Sequence, residues 1–165
     1  KWYPSWSPDA SILVFHTNDP DTQARDLWYV SVSSGETGVL VDDDGIQALA
    51  RMSRDGRLVA YQSSQDGETE IYVTTFPRSA ARWKVSTNGG TWPKWSYDEL
   101  FYWEGNALMA VAFTTDEGFS PGTPRRLFTG EQVGMGAENM MRSYNPEYDV
   151  NAEGTRSVVT QRLER

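Results

Sequence analysis

Cysteine is absent from this chain and histidine occurs once, at His16. The first absence excludes a disulfide framework, a thiol nucleophile and a thiolate metal site. A single imidazole leaves a zinc centre without the several nitrogen or sulfur ligands it needs, so no metal is expected there. Positive charge is also scarce: 15 lysines and arginines stand against 23 aspartates and glutamates, a formal net charge of -8. Nonspecific nucleic-acid affinity comes mainly from clustered cations, and no basic stripe is present, so no nucleic-acid partner is expected. No run of about 18 apolar residues exists that could cross a bilayer as a helix, and no membrane insertion of that kind is expected. Kinase chemistry is missing as well. There is no Gly-rich phosphate loop ahead of a strand lysine, and no His-Arg-Asp or Asp-Phe-Gly segment.

What the chain does have is repetition. Trp92-Pro-Lys-Trp-Ser-Tyr-Asp98, followed by Leu-Phe-Tyr102, repeats the opening Tyr3-Pro-Ser-Trp-Ser-Pro-Asp9, followed by Ile-Leu-Val-Phe15. A third copy reads Ala50-Arg-Met-Ser-Arg-Asp-Gly56 with Leu-Val-Ala-Tyr61 behind it, and a fourth Val150-Asn-Ala-Glu-Gly154 with Ser-Val-Val159. The first core residues of the copies, Trp6, Met52, Trp95 and Val150, recur with a period in the forties, stretched at the last interval.

Four-stranded propeller blades repeat at roughly 40 to 45 residues, and two-helix HEAT or armadillo units at about 40 to 47. The residues decide between them. Each copy carries a turn such as Ser-Pro-Asp or Arg-Asp-Gly. Behind each turn comes a short run rich in β-branched and aromatic side chains, too brief for a helix. The expectation is an all-β fold, a partial β-propeller of about three four-stranded antiparallel blades plus the two inner strands of a fourth. The blades fall at residues 1–45, 46–89 and 90–142, with a partial unit at 143–165.

In the first unit, strands are expected at residues 3–7, 12–16, 27–32 and 39–41, with a hairpin turn over 34–38. The runs at 12–15 and 58–61 do not alternate with polar residues, which predicts strands covered on both faces. Pro4 and Pro93 are tolerated in a strand chiefly at an edge, which places the first strand of each blade along the central channel. Trp6 and Trp95 are then expected to fill the wedges between blades, each burying about 150 to 250 Å². The alternative is a tryptophan platform for a sugar or peptide.

The pattern Pro-x-Trp-Ser-Pro-Asp, an apolar strand, then Leu27-Trp-Tyr-Val30 or Glu70-Ile-Tyr-Val73 resembles the WD40-like repeat of TolB-type β-propellers. The last third is similar to the C-terminal end of propellers fused to bacterial Ser/Thr kinases. The matching residues there are Gly89-Gly-Thr-Trp-Pro-Lys-Trp95, Ala107-Leu-Met-Ala-Val111, Gly122-Thr-Pro-Arg-Arg-Leu-Phe128 and Tyr148-Asp-Val-Asn-Ala-Glu-Gly-Thr-Arg156. The resemblance implies an appended periplasmic or extracellular module that senses or docks a protein or peptide. The chain departs from the pattern in three places: Met52 replaces the Trp, the turn at Asp98 lacks its Gly, and Glu153 stands where Asp is usual. A propeller belonging to a hydrolase, either a glycosidase or a prolyl-oligopeptidase-type peptidase, is the competing class.

No catalytic or cofactor-binding constellation emerges. A Ser-His-Asp relay would have to use His16, which sits at the end of a buried-looking strand and reads as an ordinary hydrogen-bonded residue. Asp19, Asp21 and Asp26, and Asp42 to Asp44, offer oxygen ligands but lack EF-hand spacing, so solvated loop charge is the preferred reading and calcium the alternative. Asp9, Asp55, Asp98 and Glu153 recur at equivalent turns and are structural, like Trp6, Met52, Trp95; a catalytic carboxylate pair would be unique to particular blades. The segment 129–142 breaks the repeat, and Met135, Met140 and Met141 there make a candidate adaptable binding loop or a cover for the core. Three and a half blades cannot close a ring. The expectation is therefore that the chain is the C-terminal part of a longer propeller whose remaining blades complete it, with self-association as the runner-up.

Overall fold

A computed structural model describes residues 3–134 and 148–159. The first sheet is built in the order β1 (Ser5–Trp6), β2 (Ile12–His16), β3 (Leu27–Ser31), β4 (Thr37–Val41). The second follows as β5 (Gln47–Met52), β6 (Leu58–Ser63), β7 (Glu70–Thr75), β8 (Arg82–Lys84). The third is β9 (Thr91–Trp95), β10 (Glu99–Glu104) and β11 (Ala107–Thr114), with both β12 (Ser120–Pro121) and β13 (Arg125–Thr129) paired to β11. β14 (Tyr148–Val150) and β15 (Ser157–Val159) form the fourth unit. All of these pairings are antiparallel. The expected propeller blades are present, and β9, which carries Pro93, lies at a sheet edge where its missing N–H does no harm.

Three apolar layers join the sheets. One face of the first sheet, with Val14, Leu27 and Val41, packs on Met52, Val59, Tyr61 and Tyr72 of the second. The other face of the second sheet, with Leu58, Ala60, Ile71 and Val73, packs on Trp95, Leu100, Tyr102 and Met109. Phe101, Trp103 and Leu108 on the far side of the third sheet meet Tyr148 and Val150. Neighbours in sequence are thus neighbours in space, as stacked blades require.

Several expectations need correction. β1 spans only Ser5–Trp6, and Gly38 belongs to β4 instead of the turn. A Cβ on Gly38 would lie 2.5 Å from the Tyr29 ring, so the strand needs glycine there to let the phenol lie across it. β12 was not expected, because two residues of Ser-Pro carry no periodicity. The run at 58–61 is buried throughout, whereas in β2 Leu13 and Phe15 are only partly covered. Trp6 does not fill a wedge: it is 53% exposed, against 5% for Trp95. No described residue packs a sheet against that side of the first blade.

The recurring turns are built by a serine that the carboxylate holds in place. Ser7 Oγ–H donates to Asp9 at 2.6 Å and accepts from the Ile12 N–H at 2.9 Å. Ser53 does the same between Asp55, at 2.6 Å, and Leu58, at 3.0 Å. In the shorter third turn, Ser96 Oγ–H donates to Asp98 at 3.3 Å and accepts from Glu99 N–H at 3.0 Å. In the fourth unit Asn151 replaces the serine. It donates to Glu153 at 2.8 Å and accepts from Arg156 N–H at 2.8 Å, so the longer Glu meets a longer partner.

These turns give the fold a defined acid response. The Ser7 hydroxyl, then the Ser11 N–H and hydroxyl, hold the Asp9 carboxyl at about 2, below its ordinary 3.8. A group depressed on folding stabilises above its unfolded value and loses that contribution as pH falls through the folded one. Burial, then the Arg25 charge, push the His16 imidazole below its ordinary 6.5, so it folds neutral and its contribution fades as pH drops below that value. The urea midpoint is therefore expected to decline in two acid segments, one below pH 6.5 and one below pH 3.8. His16→Gln should flatten the first, and Asp9→Asn should reduce the second, to which the likewise lowered Asp19, Asp55 and Asp66 also contribute. A single segment unaffected by either change would contradict the assignment.

Candidate functional site

Two places stand out where blades meet. The first is a cleft of about 150 Å³ between the second and third blades, at the turn end. Ser53, Ser96, Leu58 and Phe113 line it, and the Arg54 guanidinium stands 5.5 Å over the Tyr97 ring at its rim. Its hydroxyls are already committed to the turns just described.

The second place gathers more chemistry. The innermost strands lean on one another, and each carries a residue immediately before its core position: Ser5, Arg51, Lys94 and Asp149. The approach to them is bent by a repeated irregularity. Leu49 and Trp92 occupy the left-handed region, at φ of 54° and 59°. Both lie where the pairing with the next strand slips, between Ala48 and Arg51 and opposite the Phe101–Trp103 break. Non-glycine residues in this conformation cost of order 1 to 3 kcal/mol and persist only where surrounding packing fixes them. Here the bend brings the Trp92 indole edge-on to Tyr3, with ring centroids 5.3 Å apart. First and third blades thereby touch across the second, which locates the contact at the axis about which the blades are arranged.

Charges follow the same geometry. Ser5 Oγ accepts the Met52 N–H at 3.0 Å, tying the first inner strand to the second. Arg51 donates through Nη1 to the Ala50 carbonyl at 2.8 Å and the Tyr3 carbonyl at 3.5 Å. Burial lowers its pKa, while Tyr148, Asp149 and Tyr3 act in the opposite direction. An arginine remains charged through such a shift. Lys94 pairs with Asp149 at 3.4 Å and stands 5.9 Å from the Tyr148 ring centre. Tyr148 donates to the Trp92 carbonyl and to that of Phe101, and burial pushes its phenol well up. The result is an aromatic-walled site with two cations and one carboxylate, of which Asp149 is the most exposed.

Of the residues expected from sequence, Asp9, Asp55, Asp98 and Glu153 lie in the turns, and Met52 and Trp95 in the inter-blade layers. Met135, Met140 and Met141 lie outside the described residues. His16 is buried at the end of β2. Asp19 is committed to its own loop, accepting the N–H groups of Asp21 and Thr22 at 2.8 and 3.0 Å, and Asp43 pairs with Arg82. The axial residues were not anticipated. Their signal was nonetheless present: one repeat position holds Ser, Arg, Lys and Asp in turn, the blade-specific variation that a framework position would not show.

Fold and site together define a partial β-propeller with a charged, aromatic axial site. No family model and no curated protein matches the chain. Solved structures do. A TolB-assigned protein of Agrobacterium tumefaciens is 19% identical, with a TM-score of 0.61 over 77% of this chain and 48% of its own. TolB from Acinetobacter baumannii is 20% identical, with a TM-score of 0.58 over 96% of this chain and 37% of its own. The β-propeller domain of the Trilobed protease from Pyrococcus furiosus is 11% identical, with a TM-score of 0.53 over 76% and 42%. This chain spans less than half the length of each. At these identities the likeness shows the propeller fold, which hosts many activities.

Proposed function

We propose that the chain is a noncatalytic propeller module that binds a protein or peptide partner, with the axial site receiving a carboxylate. The observation that carries this reading is Arg51. Its guanidinium is largely withdrawn from water, and among the described residues no carboxylate lies within ion-pair distance and only Nη1 donates. A guanidinium has five N–H donors, and its planar fork matches a carboxylate in two-point fashion. A C-terminal carboxylate or a Glu or Asp side chain supplies that complement, while Tyr3 and Trp92 offer flat apolar area beside it. The resemblance of the last third to kinase-appended propellers supports an extracytoplasmic sensing or docking role for the same surface.

The test uses an array of short synthetic peptides with free or amidated C-termini, and with Glu or Gln at each acidic position, measured by fluorescence anisotropy against the chain. Binding is expected to need a carboxylate and to weaken as salt rises. Arg51→Gln should reduce it roughly tenfold or more, the value of a charge-assisted hydrogen bond. Undiminished binding of amidated peptides with Gln at every acidic position, or no change in Arg51→Gln, would overturn the proposal. Peptide cleavage during the titration would favour the hydrolase reading instead.

A further inference from the structure

The first blade has a face that resembles the two interior ones but that no described residue covers with a sheet. Registers place Trp6, Leu13 and Val30 side by side, and Phe15, Trp28 and Val39 beside them on the same face. Trp6 and Val39 are 53% and 44% exposed, and Leu13, Phe15, Trp28 and Val30 are partly exposed. The equivalent faces of the second and third blades present Met52, Val59, Tyr61 and Tyr72, and Trp95, Leu100, Tyr102 and Met109. Each is covered by the aliphatic reverse of the preceding blade. The third blade adds a polar latch: Trp95 Nε1–H donates to the Arg51 carbonyl on the inner strand of its neighbour, at 2.9 Å.

We infer that the Trp6 face is a docking surface for the reverse side of one further antiparallel β-blade. That blade presents branched aliphatic side chains to Leu13, Phe15 and Trp28, and an inner-strand backbone carbonyl to the Trp6 indole N–H. The internal precedents specify this partner. Both covered faces receive Val, Leu, Ile or Ala from a sheet, and Trp6 repeats Trp95 in sequence and strand position. A second copy of the chain fits less well, because among the described residues the reverse side of every four-stranded blade is already covered by its successor. The reverse of the fourth unit, uncovered among the described residues, offers two strands with an exposed Asp149 and Val158.

The probe is a blade of the required kind taken from the molecule itself. A second copy of residues 1–45, with its own Trp6 changed to Phe, is fused ahead of the full chain, and hydroxyl-radical footprinting reads the oxidation of the original Trp6. Its reactivity is expected to fall roughly tenfold, in line with a change from 53% exposure towards the 5% of Trp95. Val14→Asp confined to the added copy should restore reactivity, since Val14 stands at the centre of the reverse face. Three results would overturn the inference: Trp6 equally reactive with and without the added blade, protection that survives Val14→Asp, or concentration-dependent dimerisation of the unfused chain that shields Trp6.

Discussion

Trp95→Ala is expected to lower unfolding stability by about 3 to 5 kcal/mol, the range for removing a buried aromatic from a core. Trp6→Ala, the same change in the same motif, should shift it by about 1 kcal/mol or less. The difference is entirely one of surroundings. Trp95 is 5% exposed, packs edge-on to Phe113 and Phe119 at 5.1 and 6.2 Å, and latches the second blade through the Arg51 carbonyl. Removing its ring leaves a cavity between two sheets and an inner-strand carbonyl that has lost its donor. Trp95→Phe keeps most of the ring contact and gives up the N–H, so its effect should be nearer 1 kcal/mol. Urea unfolding of the three variants, followed by circular dichroism, makes the measurement. Apart from the axial Tyr3–Trp92 contact the apolar layers join each blade to its neighbours, so Trp95→Ala should also broaden the transition as the halves on either side uncouple. Equal destabilisation by Trp6→Ala and Trp95→Ala would mean that the face holding Trp6 is covered in the folded chain.

That pair of residues also shows what a sequence of this kind makes legible. The turn, the strand behind it and the spacing of copies are local, and they recur because each blade solves the same packing problem. Ile12–His16 was therefore readable to the residue. Burial of a tryptophan is not local: it depends on whether another sheet lies opposite, and the motif around Trp6 carries no information on that. Gly38 looked like part of a turn because its reason for being glycine, the Tyr29 ring, comes from the adjacent strand. The axial residues were hidden for another cause. Ser5, Arg51, Lys94 and Asp149 have nothing in common chemically, and only the convergence of four inner strands makes them one site.

Glu70→Ala should be the most damaging change outside the apolar layers, costing about 3 kcal/mol. The carboxylate is 3% exposed at the start of β7, where it accepts the Ser86 hydroxyl, the Gly89 N–H at 3.1 Å and the Lys84 ammonium at 3.5 Å. Ser86 in turn accepts the Ile71 N–H at 2.7 Å, so one side chain fixes both ends of the link from the second blade to the third. Truncation leaves a buried hydroxyl and a backbone N–H without an acceptor, each worth about 1 to 3 kcal/mol. The site cannot collapse to compensate, since the backbone already runs so close that a Cβ on Gly90 would lie 2.5 Å from Ser86 Oγ and 2.8 Å from Ile71 Cγ1. Glu70→Gln separates charge from hydrogen bonding. Its amide oxygen can still accept, and what it loses is the ion pair with the partly exposed Lys84, which is worth less than about 1 kcal/mol. The ordering expected in thermal and urea melts is wild type, then Glu70→Gln slightly lower, then Glu70→Ala far below. A Gln variant as unstable as the Ala variant would show that the charge itself, and not the acceptor, holds this junction.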